Sequence, residues 1–300
     1  MTTIDIIYQD DDLLVINKPA GMVVNRAELA PSPTVQDWAE ERLGLVAVDR
    51  TNRRADRTTQ ITPTSQFSPP PPNHPDITLP PEFDPQYGTP EEIFRQRGGL
   101  VHRLDKDTSG ALVIAKHPTA LAQLLADFKQ RRVIKTYTCL VHGRLSTSQE
   151  VISLPIGRSS VDPTKFTVRP DGRPAVTAYR LERYLTGLDP TALAAALPDQ
   201  AVRTLTAQAR SYQGFSLVTC WPKTGRTHQV RVHLAHRGHP LVGDKTYAGK
   251  KRRRLDKLWC PRQFLHASRI ELPHPRGRQP LVVQVQLADD LEHSLKLLRS

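Results

Sequence analysis

The sequence predicts an α+β fold, and three observations carry that expectation. Strands arrive as hairpins and meanders, beginning with two apolar runs around a polar turn at the start of the chain. Helices fall between the strands, with apolar residues at helical spacing. The strict strand–helix–strand alternation of a parallel doubly wound sheet is absent, and no internal repeat is seen.

In chain order, Ile4, Ile6, Ile7 and Tyr8 form the first run and Leu13 to Ile16 the second, with Gln9-Asp10-Asp11-Asp12 as the turn. Thr34 reads as the N-cap of a helix through Val35, Trp38, Ala39 and Leu43, stopped by Gly44. Residues 46–95 are broken by Pro63, Pro69 to Pro72, Pro75, Pro80, Pro81, Pro85 and Pro90, with polar residues in the gaps. Such a composition buries too little apolar area to offset chain entropy, so an extended or disordered insertion is expected there, with order resuming at Gly98. Leu112 to Ala115 reads as a buried strand. Pro118 then starts a helix whose apolar face is Leu121, Leu124, Leu125 and Phe128. Lys135 to Val141 is the next strand, and Pro170-Asp171-Gly172 signals a hairpin turn between two more. A second, helix-prone insertion is expected at about 187–212. Phe215 to Trp221 reads as a strand and about Thr227 to Arg237 as a helix capped by Gly238. A strand over Leu281 to Leu287 and a helix from Asp289 close the chain. The 45 residues before the first insertion are too few for an independent core, so 1–300 is read as one domain.

Composition narrows the function. Three well-separated cysteines, Cys139, Cys220 and Cys260, exclude a disulfide framework and any CxxC zinc or redox motif. No apolar stretch reaches membrane-spanning length and the first residues do not resemble a signal peptide, so a soluble, cytoplasmic protein is expected. Lys and Arg number 42 against 30 Asp and Glu, a net +12, unevenly placed. Residues 1–95 hold eight basic and fifteen acidic side chains, whereas 223–278 hold fifteen basic and three acidic. A cationic surface concentrated in one part of a chain is the footprint of a polyanionic partner.

Three clusters could carry chemistry. In His102-Arg103-Leu104-Asp105-Lys106-Asp107-Thr108-Ser109-Gly110, nearby cations favour an ionised carboxylate at Asp105, which suits a nucleophile or general base. In Lys223-Thr224-Gly225-Arg226-Thr227-His228-Gln229-Val230-Arg231, Arg226 and His228 sit at a predicted helix start, a natural phosphate site. His228, His233, His236 and His239 do not put three ligands on one helical face, so no metal is expected. In Lys135-Thr136-Tyr137 the aromatic ring is either a core tyrosine or a platform on which a base stacks.

Together these clusters resemble RluA-type pseudouridine synthases. The resemblance rests on His102-Arg103-Leu104-Asp105 with Thr108-Ser109-Gly110, Lys135-Thr136-Tyr137 and Thr224 to His233. It continues through Gly238-His239-Pro240 and Gly243-Asp244-Lys245-Thr246-Tyr247, with Lys18-Pro19-Ala20-Gly21 and Phe264-Leu265-His266-Ala267 near the two ends. It implies a mixed, mostly antiparallel sheet with flanking helices in two lobes around a basic cleft. It implies isomerisation of uridine to pseudouridine in ribosomal or transfer RNA, without cofactor or metal and with no obligatory protein partner. Matched by position, Asp105 is the catalytic aspartate, either attacking the anomeric carbon or removing a ribose proton. Tyr137 stacks on the target base, Arg231 pairs with the aspartate, and Arg103 helps displace the flipped base. His102, Arg226, His228, Lys165, Lys250, Lys251 and Arg252 are the further candidate RNA contacts. Asn25-Arg26 stands where a His-Pro type pair is often found, and no stretch matches a separate N-terminal RNA-binding domain. A glycosidase would need a second acid opposite Asp105 and would leave the basic patch unexplained. RNA binding alone would not need that carboxylate.

Overall fold

The computed structural model describes residues 4–26, 33–45, 77, 79–81, 83, 86 and 88–299. The expected hairpin forms, with strands β1 (Asp5–Gln9) and β2 (Leu13–Lys18) antiparallel around a turn closed by the Asp10 amide on the Leu13 carbonyl. Helix α1 (Val35–Arg42) carries a capping box between Thr34 and Asp37. The first insertion is where expectation and structure part. Order does not wait for Gly98: Thr89 and Glu92 make a second capping box that starts helix α2 (Pro90–Arg97), and Phe94 on this helix is fully buried. Ile77 is also in the core. The prolines that break periodicity upstream mask one at Pro90, which stands at a first helical turn where its missing N–H costs nothing. Most of the remaining insertion lies outside the described residues.

Strand β3 (Ser109–Ala115) is buried along its whole length. Helix α3 (Pro118–Lys129) follows, with Leu121 and Leu124 buried and Leu125 and Phe128 packed on the core edge. Strand β4 (Ile134–His142) leads to β5 (Gln149–Ser153) and to a small hairpin of β6 (Ile156–Arg158) and β7 (Phe166–Val168). The turn at Pro170-Asp171-Gly172 does not join β7 to the long β8 (Val176–Leu185), because β7 pairs with β6 and β8 pairs with β5. A local turn signal reports a reversal of the chain but not which strands it brings together.

The second insertion holds β9 (Gly187–Leu188), α4 (Pro190–Ala196) and α5 (Asp199–Ala207). It is no loose appendage. Leu193 and Leu205 join Tyr212, Phe215, Trp259, Phe264 and Leu291 in a second hydrophobic core. Strand β10 (Phe215–Pro222) and helix α6 (Gln229–His236) come next. The helix begins two residues later than expected because His228 takes a left-handed φ of 55°. The Lys250-to-Arg254 run, which had no assigned element, forms most of α7 (Lys250–Asp256), anchored by buried Leu255 and Asp256. The chain ends with β11 (Leu265–Pro273), β12 (Pro280–Gln284), α8 (Asp289–Lys296) and β13 (Leu298–Arg299), which pairs with β9. The penultimate strand therefore stops three residues short of Leu287.

Among the described residues, nine strands form one mixed sheet in the order β1-β2-β3-β11-β4-β10-β8-β5, with β12 beside β11. Every pairing is antiparallel except β3 with β11. That junction requires glycine. Gly110 has φ 112°, and a Cβ there would lie 2.3 Å from the Ala267 carbonyl oxygen. The start of β3 is thus pressed against β11, which helps position the loop that precedes it. No helix among the described residues is long and apolar enough to cross a membrane.

Candidate active site

Asp105 projects from the loop that enters β3, with about one-fifth of its side chain exposed. The loop is held on two sides by buried charges. Fully buried Lys18 donates from Nζ to the carbonyls of Pro19 (2.7 Å), Met22 (2.8 Å) and Lys106 (3.0 Å). Three acceptors match the three N–H bonds of an ammonium. Burial, then the charge of Arg262, pushes this group down to about 7, against the pull of Asp107 and Asp105. From the other side, Arg262 donates to the Asp107 carbonyl (3.0 Å) and to Ser109 Oγ (2.9 Å), and is itself clamped by Asp290. Gln263 Nε2 donates to Thr108 Oγ1 at 3.1 Å.

Opposite the loop, Arg231 on α6 reaches Asp105. Its Nη1 donates to Asp105 Oδ2 at 3.0 Å, while Nε and Nη2 form a fork on Asp244 at 2.8 and 3.0 Å. Nη2 also donates to Thr246 Oγ1, and the guanidinium lies 5.1 Å from the Tyr247 ring centre. Burial works against its charge. The hydrogen bonds and charge of Asp244, then those of Asp105, outweigh burial and hold its pKa above the ordinary arginine value. Asp244 is fully buried and accepts the amides of Thr246 and Tyr247, so the fork is fixed before any substrate arrives. Gly243 before it is obligatory, since a Cβ would lie 2.0 Å from the Arg262 carbonyl oxygen at a φ of 70°. The turn leading into α6 is locked by Gln229, which bridges Thr224 and the Arg226 amide on one side to Val176 and Thr177 on the other. His228 shares a hydrogen bond between Nδ1 and Tyr247 Oη at 2.9 Å, and its Nε2 lies 4.0 Å from Asp105 Oδ2. Burial lowers its pKa despite the nearby Asp105 charge.

These groups open onto a cavity of about 480 Å³ whose walls include Asp105, Tyr137, Arg226, Val230 and Leu265. Asp105 is the only carboxylate among its described lining residues. Tyr137 is buried on β4, between Cys220 on β10 and Ala267 on β11. Burial, then the Asp105 charge, pushes its hydroxyl well above the usual tyrosine range, so it stays a neutral phenol. Lys135, two residues earlier, lines the same cavity, and burial pushes its ammonium down to about 8. A second cavity of about 300 Å³ lies on the other side of Asp105, reached past Lys106, Lys245 and Thr246.

The structure brings Asp105, Tyr137, Arg231, Arg103, Arg226 and His228 around one cavity. It does not bring the other candidates there in the expected way. His102 borders the cavity as a neutral ring. Its Nε2 accepts the Val113 amide at 3.0 Å, its ring stacks on Phe128, and burial, then the charge of Lys135, drives it down to about 3. Lys165 lies just before β7, paired with Asp162 at 3.1 Å and away from the cavity lining. Lys250, Lys251 and Arg252 lie on α7, also outside it. Lys18, Asp244 and Arg262 had no role assigned from sequence. The signal they offered was a lone charge inside an apolar or glycine-containing stretch, as in Leu241-Val242-Gly243-Asp244. One group of described residues has metal-like spacing, Asp10, Asp12 and His274. Asp12 there is already taken by Arg276 and His117.

Residues 86–236 match the family described as RNA pseudouridylate synthase. The chain belongs to this family. An uncharacterized RNA pseudouridine synthase, YlyB of Bacillus subtilis, is 31% identical over 297 residues, covering 99% of this chain and 73% of that one. Ribosomal large subunit pseudouridine synthase D of Nitrosomonas europaea is 32% identical over 302 residues, covering 98% and 65%. An uncharacterized RNA pseudouridine synthase of Chloroflexus aurantiacus is 39% identical over 203 residues, 68% of this chain and 54% of that protein. The chain thus spans between about half and three-quarters of the length of these pseudouridine synthases. Two solved structures share the fold. Human RNA pseudouridylate synthase domain containing 1 has a TM-score of 0.60 at 24% identity, covering 97% of this chain and 87% of that one. The domain containing 4 protein has 0.57 at 22%, covering 98% and 94%.

Proposed function

We propose that this chain converts uridine to pseudouridine in ribosomal or transfer RNA, with Asp105 as the reacting carboxylate. The observation that carries the reading is the Arg231 guanidinium, forked onto buried Asp244 and presenting Nη1 to Asp105 Oδ2 at 3.0 Å. That contact aims the carboxylate at a cavity walled by Tyr137. Among the described residues Asp105 Oδ1 accepts no hydrogen bond, which leaves one oxygen for the substrate.

In the isomerisation the bond between C1′ and N1 breaks, the uracil turns, and C1′ bonds to C5. C5 gives up its hydrogen and N1 gains one, so substrate and product have the same atoms and no electrons are lost or gained. Asp105 either adds to C1′ or takes a ribose proton, and both routes need one carboxylate oxygen beside the sugar. A base inside a helix can be neither reached nor rotated, so the target nucleotide must leave its stack. In this reading Arg103, exposed beside the cavity, fills the gap and Tyr137 supplies an aromatic face for the extruded base. The names of relatives such as pseudouridine synthase D of Nitrosomonas europaea favour ribosomal over transfer RNA. A glycosidase reading fares worse, because the cavity offers no second described carboxylate.

Chemical mapping of pseudouridines in RNA from cells with and without the gene tests the reading. One or a few sites should vanish from ribosomal or transfer RNA on deletion and return with the wild-type gene. An unchanged map in both RNA classes would overturn it.

A further inference from the structure

The cavity beside Tyr137 does not end at Asp105. It shares Arg103, Leu104, Asp105, His228 and Arg231 with the second cavity on the far side of the carboxylate. The second shares Lys245 with a third, of about 420 Å³, between α7 and the segment at Cys260-Pro261. The three cavities thus border one another at these shared residues and together make up one groove. It runs from Arg131, on the turn between α3 and β4, past Asp105 to Arg254 and Lys257 on α7.

The groove is cationic at both ends. Arg131, Lys223 and Arg226 line the first end, and Lys250, Arg253, Arg254 and Lys257 the other. Asp105 and Asp107, both in the middle, are the only carboxylates among its described lining residues. Among the described residues, Arg131, Lys223, Arg254 and Lys257 make no ion pair. Burial, then the charges of Arg173 and Arg131, depresses the pKa of Arg226, as expected for cations crowded without an anion between them. The α7 end has no catalytic equipment. Burial pushes its Cys260 thiol up to about 12, and its described lining residues include no carboxylate. It is a place to bind and not a second place to react.

We propose that a single RNA strand lies along this whole groove, with phosphates on one flank of the target uridine held at Arg131 and Arg226. The other flank then crosses Lys245 to Arg254 and Lys257. This rests on the reading of Asp105 as the carboxylate that acts on RNA. A flipped nucleotide at Asp105 leaves its two neighbours leading away in opposite directions, and the groove supplies unneutralised cations along both. Contacts of this kind position the strand without reading its sequence. The basic helix α7 thereby gains a role that its distance from the Tyr137 cavity would otherwise deny it.

The three native cysteines are buried, so a single new surface cysteine can be labelled selectively. Gln130→Cys, beside Arg131, and Lys251→Cys, on α7, would each carry a tethered iron–EDTA that cleaves nearby RNA. The probe is a short RNA centred on a uridine that the wild-type chain converts. The cuts should fall on opposite sides of that uridine, one set 5′ and the other 3′. Cuts on the same side, or no cuts from α7 on an RNA that is converted, would overturn the two-flank groove and leave the catalytic reading standing. Failure of the wild-type chain to convert any RNA would overturn that reading, and the groove with it. As a second measurement, Arg131→Gln and Arg254→Gln should each flatten the log–log salt dependence of binding to this RNA by about 0.7, one single-strand phosphate contact. An unchanged slope in either variant removes that flank.

Discussion

Arg231 has three partners, and its replacement shows which matter. Lysine keeps the charge but has no fork, so it can serve Asp105 or Asp244 but not both in the present geometry. Arg231→Lys should lower turnover by about 10²-fold, the scale set by a misplacement of about 1 Å, with RNA affinity little changed. Steady-state kinetics beside a binding isotherm separates the two. At Tyr137 the ring is the expected contributor, since no hydrogen bond is made by its hydroxyl among the described residues. Tyr137→Phe should keep most activity and Tyr137→Ala should lose about 1–3 kcal/mol of stacking. If both are equally inactive, the phenol acts chemically and stacking is the wrong role. Asp105, Tyr137 and Arg231 were legible in the sequence because each belongs to a dense local motif. Lys18 and Arg262 were not, because their work is done at a distance, and Asp244 stood in a motif that gave it no role although its partner Arg231 lies only 13 residues back. Lys18 holds a carbonyl 88 residues away and Arg262 one 155 residues away. Local spacing carries no information about such contacts. His102 lies in the motif and borders the cavity, while its ring nitrogen is committed to the β3 backbone.

Elements announced by end signals were readable, and elements defined by their partners were not. The Thr34 cap, the Pro118 start and the Gly238 stop all correspond to real helix ends. The pairing of β8 with β5 and β10, and not with β7 across the Pro170 turn, depends on long-range register and left no local trace. Helix α2 was hidden by a proline-rich approach although Thr89 and Glu92 spell a capping box. Two substitutions test whether this part of the insertion belongs to the fold. Thr89→Ala should cost about 1 kcal/mol through the lost cap. Ile77→Ala should cost about 2–5 kcal/mol as a core truncation, because Ile77 is only 6% exposed. Urea unfolding measures both, and wild-type stability in both variants would mean that this segment does not pack on the core.

At the scale of the whole molecule, charge asymmetry was legible from composition, and the structure turns it into a groove that is basic at both ends, with its only described lining carboxylates, Asp105 and Asp107, in the middle. Buried histidines set its response to acid. Burial, followed by the charge of Lys135, holds His102 down to about 3, and burial takes His266 to about 4. Both folded-state values are below the ordinary 6.5, so the unfolded chain binds protons first as pH falls. Their stabilisation is complete above pH 6.5 and is lost as pH drops toward 4 and then 3, by on the order of several kcal/mol in total. Denaturation midpoints should therefore fall steeply between pH 6.5 and 4, and His102→Gln should make that fall shallower. An identical slope would place the acid response in other groups. The proposed chemistry turns on one carboxylate set in this basic surround, and release of tritium from RNA labelled at uridine C5 reads it most directly, because that hydrogen leaves only when C5 takes the place of N1. The wild-type chain should release tritium while Asp105→Asn binds the same RNA and releases none. Release by Asp105→Asn at a rate close to wild type would contradict the central role of Asp105.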